Sequence, residues 1–104
     1  METVALAAPP QLLLTTPHGK RRLVTLAGRR ALIGRRPDND IVLDSELVSR
    51  HHAALVREGR VVTLTDLASR NGTFVNGRKV EKHVLANRDV IEIGDCVLRF
   101  LAFE

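Results

Sequence analysis

The stretch DVIEIGDCVLRFLAF, residues 89–103, decides the fold. Ile91 and Ile93 alternate with Val90 and Glu92, and Leu98 and Phe100 alternate with Val97 and Arg99. That two-residue period belongs to half-buried strands, whose successive side chains point to opposite faces. Working outward, the same kind of short apolar segment, cut by turn residues, recurs along the chain. Strands are expected at residues 11–16, 21–27, 30–33, 41–43, 52–57 and 60–67. Others follow at 73–75, 78–80, 83–85, 89–93 and 96–103. No segment sustains a helical period over three turns. About eleven short strands at close spacing indicate an all-β fold, an antiparallel sandwich or barrel. Residues 1–10 read as a flexible tail and 11–104 as one domain, since no linker or low-complexity tract divides them.

Composition narrows the function classes. With 44% apolar residues the chain of 104 can fill one core. The single Cys96 permits no internal disulfide and argues against a thiolate metal site. A reducing, cytoplasmic compartment is the simpler assumption. The first residues, METVALAAPPQLLL, lack a basic n-region, so a signal peptide is not expected. No run approaches the roughly 18 apolar residues of a membrane helix, so no membrane partner is expected. The net charge of +4 favours anionic partners without specifying them. Single-stranded nucleic acid is disfavoured, because Trp and Tyr are absent and Phe74, Phe100 and Phe103 fall in core-like runs.

The segment LVSRHHAAL, residues 47–55, carries the densest chemistry. Ser49, Arg50, His51 and His52 could make a metal site, a hydrolase nucleophile with its base, or an anion cradle. Adjacent histidines on a strand point to opposite faces, and neither His18 nor His83 stands at ligand spacing. No glycine flanks Ser49 as in a nucleophile elbow, and no carboxylate is placed to orient a histidine base. An anion cradle survives, beside the plainer alternative of solvated Arg50 and His51 with His52 a satisfied core histidine. Upstream, Gly34 lets the chain turn while Arg35 and Arg36 project beside it. Arginine's planar fork meets phosphate with two parallel charge-assisted bonds. Downstream, Asn76-Gly77 lies between TFV and RKV, the signal of a type I′ hairpin. Asn71-Gly72 follows the longer polar connection DLASR, where Asn71 is either a turn residue or free to bond another backbone.

Taken together, Gly34-Arg35, DIVL at 40–43, VSRHHA at 48–53 and DLASRNGTFVNG at 66–77 resemble the forkhead-associated (FHA) domain family. The resemblance implies an eleven-stranded β-sandwich that binds phosphothreonine peptides through loops at one end, without catalysis or a cofactor. It implies that Arg35 and Ser49 hold the phosphate, that Arg50 adds a second contact, and that Asn71 bonds the peptide main chain beside Arg70. His52 would brace the serine loop, while Gly34, Gly72, Asn76 and Gly77 would shape the binding loops. His51 and Arg36 match no such role. Gly28-Arg29-Arg30 mimics the first motif but lacks the DIVL spacing. The implied partners are phosphothreonine proteins, a Ser/Thr kinase or its substrates, met by a domain that is monomeric in isolation. The alternative is a basic β-domain that binds nucleic-acid phosphate.

Overall fold

In the computed structural model, which describes residues 8–102, every regular element is a strand. They are β1 (Gln11–Thr15), β2 (Arg21–Thr25), β3 (Arg30–Gly34), β4 (Ile41–Val42), β5 (Ala53–Glu58) and β6 (Val61–Asp66). The rest are β7 (Thr73–Val75), β8 (Arg78–Val80), β9 (Lys82–Val84), β10 (Val90–Ile93) and β11 (Cys96–Leu101). Each expected strand is present within a residue or two at its ends. The expected tail falls largely on residues 1–7, and Phe103 follows them in lying outside the described residues; Ala8, Pro9 and Pro10 form no strand.

Six strands form one sheet in the order β2-β1-β11-β10-β7-β8, and five form the other, β4-β3-β5-β6-β9. The alternation that signalled β10 and β11 now has a physical cause. Ile91 stands opposite Leu98, which stands opposite Leu14, and all three face the other sheet. Ile33, Leu55 and Leu64 meet them from the second sheet. Burying each such side chain contributes about 1.5–3 kcal/mol, so one slipped register would expose a whole row. One pairing departs from the antiparallel plan: β3 and β4 run parallel, joining Ile33 to Ile41 and Gly34 to Val42. The β7–β8 link is the expected type I′ hairpin, with φ of 51° at Asn76 and 83° at Gly77.

The register also gives the sandwich two distinct ends. Thr15 pairs with Val97 and Ile93 with Thr73, which brings the β10–β11 turn beside the β6–β7 loop. At the other end Gln11 pairs with Leu101. The β3–β4, β4–β5 and β6–β7 loops gather at the first end, where they bond one another directly.

Candidate functional site

Gly34 closes β3, where the chain passes against the β4–β5 loop. A Cβ there would overlap the carbonyl oxygen of Arg50 and the Asn39 amide nitrogen, so only glycine fits. This close approach lets the Arg35 amide donate to the Ser49 carbonyl at 3.0 Å and the Arg36 amide to that of Arg50 at 3.3 Å. The Arg35 side chain then folds back, with Nε donating to the Val48 carbonyl at 3.1 Å. Its two terminal nitrogens are left at the exposed tip of the fork.

Ser49 is held from three sides. Its amide donates to His52 Nδ1 at 3.0 Å, its carbonyl accepts from Arg35, and its Oγ accepts the Arg70 amide at 3.0 Å. Because Oγ is already an acceptor, its own hydrogen is free to donate outward. His52 is 0% exposed and bridges two loops, with Nε2 2.9 Å from the Gly72 carbonyl. The amide at Nδ1 can only donate and the carbonyl at Nε2 can only accept. The ring is therefore the neutral Nε2–H tautomer, and it joins the serine loop to the β6–β7 loop. Asn71 Nδ2 donates to the Leu47 carbonyl at 2.9 Å, tying the β6–β7 loop to the serine loop. Its second amide hydrogen and Oδ1 have no protein partner among the described residues.

These contacts bring Arg35, Ser49, Arg50, Arg70 and Asn71 around one open depression of about 410 Å³. All five residues singled out for peptide contact line it, with Glu46 as the one carboxylate among the described residues. Gly72, at φ 89°, lies buried beneath it. Asn76 and Gly77 need correcting. They shape a loop, but one at the far end of β7, because three residues of strand carry the chain away from the depression. There Asn76 Nδ2 donates to Asp89 Oδ1 at 2.9 Å, and its Oδ1 accepts the Val90 amide at 3.0 Å. His51 is exposed and bonded to Asn39, and Arg36 pairs with Asp38 at 3.3 Å.

Sequence reading missed two supports. Asn39 is 6% exposed, and its Nδ2 donates to the carbonyls of Arg36 and Arg50, both at 2.8 Å. It locks the first arginine loop to the second. Asp66 accepts from the Ser69 amide and hydroxyl and from the Thr73 hydroxyl, fixing the β6–β7 loop. Burial raises its pKa, but those hydrogen bonds outweigh burial and hold the carboxyl below its ordinary value. A local signal existed: Asp66 and Ser69 have the spacing of a side chain capping its own turn.

The family model described as FHA domain matches residues 31–94. The glycogen accumulation regulator GarA of Mycolicibacterium smegmatis is 48% identical over 96 residues, covering 82% of this chain and 61% of that protein. The chain therefore spans less than two thirds of that relative's length. Among solved structures, one from a structural and functional analysis of phosphothreonine-dependent FHA domain interactions has a TM-score of 0.82 at 33% identity. That alignment covers 90% of this chain and 98% of the other. EmbR of Mycobacterium tuberculosis, solved with a low affinity phosphopeptide, has a TM-score of 0.80 at 36% identity, covering 88% of this chain and 24% of EmbR.

Proposed function

This chain belongs to the FHA domain family, and we propose that it is a phosphothreonine-dependent binding module whose ligand occupies the depression lined by Arg35, Ser49, Arg50, Arg70 and Asn71. The observation that carries the reading is the convergence of those five residues from three separate loops on one concave surface. FHA domains bind phosphothreonine peptides and act as binding modules rather than enzymes. In this reading the terminal nitrogens of Arg35 grip two phosphate oxygens, the Ser49 hydroxyl donates to one, and Arg50 adds charge. Asn71 fixes the peptide's direction through its free amide hydrogen and Oδ1, with Arg70 beside it. Gly34, His52 and Gly72 hold the loops, so little conformational freedom is lost when peptide binds. The binding unit is residues 11–104, acting as a monomer in the cytoplasm on a Ser/Thr kinase or its phosphorylated substrates.

The test is calorimetric titration with three peptides of one sequence, carrying phosphothreonine, phosphoserine or threonine. The expected order is phosphothreonine first, phosphoserine weaker, and threonine unmeasurable. Both phosphorylated residues present the same dianion, so the preference comes from the threonine methyl, worth ~0.8 kcal/mol when buried. Equal affinity for phosphothreonine and phosphoserine would leave a general phosphate binder. Salt dependence separates the nucleic-acid alternative, whose affinity collapses with salt through counterion release while one phosphate contact responds far less.

A further inference from the structure

On the other side of the serine loop lies a second cavity, of about 610 Å³. Leu43 and Asp44 line it, while Glu46 and the residues after it line the depression. Only Ser45 separates the two sets along the chain. Ser45 Oγ donates to Asp95 Oδ1 at 2.6 Å, which pins this dividing wall to the β10–β11 turn. The cavity floor is apolar, with Leu14, Leu43 and Cys96 buried in it. Its rim is cationic: His18, Lys20, Arg21 and Arg22 are all exposed, and among the described residues Asp44 is the only carboxylate in the lining. Among the described residues none of these four joins an ion pair. Arg22 stands opposite Leu14 in the β1–β2 pairing, so it shares the inward face. Because β2 is an edge strand, that face opens to solvent at Arg22 rather than to core.

Charges on an edge strand ordinarily discourage pairing with another sheet. That accounts for the arginines but not for their gathering round an apolar cavity one residue from the phosphate site. We propose that this cavity is a second docking site, filled by an acidic segment bearing an aliphatic side chain and belonging to the same phosphorylated partner. The proposal rests on the phosphothreonine reading above. Unpaired cations on the rim match carboxylates of the segment, the floor takes the aliphatic group, and the shared loop lets one chain reach both sites.

The experiment compares a short phosphothreonine peptide with two longer ones. Each longer peptide adds a glutamate-rich extension containing a leucine, placed before or after the phosphothreonine. All are titrated against the 104-residue chain, its Lys20→Glu/Arg21→Glu/Arg22→Glu variant, and an Arg29→Glu/Arg30→Glu/Arg60→Glu control of equal net charge. One extension should tighten binding to the unaltered chain and to the control by about tenfold at low salt, the sum of several partly exposed ion pairs. The first variant should lose that gain and keep its affinity for the short peptide. The proposal is overturned if neither extension tightens binding to the unaltered chain, if the gain survives in the first variant, or if the control loses it equally. A short peptide that fails to bind the unaltered chain sinks the phosphothreonine reading instead, and this proposal with it.

Discussion

The Oγ of Ser49 accepts the backbone amide of Arg70 at 3.0 Å, across 21 residues of sequence. One hydroxyl thus joins the serine loop to the β6–β7 loop and directs its remaining hydrogen toward the depression. Ser49→Ala removes both bonds and strands a loop amide. Peptide binding should weaken by ~1–3 kcal/mol, the range for losing a hydrogen bond to a charged group. Titration calorimetry reads the loss; unchanged affinity would exclude Ser49 from the site.

Arg35→Ala should cost ~3 kcal/mol or more of peptide affinity, because a bidentate charged contact disappears. The fold should lose little, since the side chain is exposed and among the described residues its only hydrogen bond runs to the Val48 carbonyl. Thermal melts beside the titration separate the two effects. A variant that melts normally and still binds phosphopeptide contradicts the assignment.

His52→Ala acts in the opposite sense. It empties a fully buried position and leaves the Ser49 amide and the Gly72 carbonyl without partners. Stability should fall by ~2–4 kcal/mol, with binding weakened only as far as the loop loosens. A variant that melts like the unaltered chain yet binds nothing would make His52 a ligand contact.

Asp66 and Asp89 set the acid limb of stability. Burial raises the pKa of Asp89, but the Ala86 amide, Asn76 and His83 outweigh it, so both carboxyls lie below their ordinary value. Groups depressed by folding stabilise above the unfolded value of about 3.9 and lose that contribution as pH falls through their folded values. Melting temperature should therefore be flat from neutral pH to about pH 5 as far as these two are concerned, then drop below about pH 4. Asp66→Asn should lower the plateau and flatten the drop; an unaltered acid limb in that variant would show that Asp66 does not contribute to it.

The strands were legible because each apolar run is short and ends at residues that turn the chain. Their pairing was not. Nothing local to Ile41 and Val42 says that they run parallel to β3, since that depends on the loop that Asn39 locks. Likewise β8 and β9 are separated by Glu81 alone yet join different sheets. The residues proposed to face the ligand were legible through motif order: Arg35 and Asn71 are exposed, and each side chain makes one bond to the serine loop and keeps its other polar groups free among the described residues. Asn39 and Asp66 act through backbone groups brought near by folding, so Asn39 could pass for an ordinary turn residue. The pair Asn76-Gly77 shows the converse. Its turn chemistry was plain in sequence, but which pole of the sandwich it occupied required the register of β7 with β10.

Gln11 sits across from Leu101 in the β1–β11 pairing, at the pole remote from the binding loops. Partners across such a ladder lie about 5 Å apart, so a short bridge can join the two positions and new termini can be opened in the exposed β5–β6 turn at Gly59. Anything tethered at either position trails away from the proposed peptide site and does not crowd it. The topology thus makes the sandwich portable: it can be spliced into a host protein or circularly permuted without disturbing the loops proposed to hold the peptide.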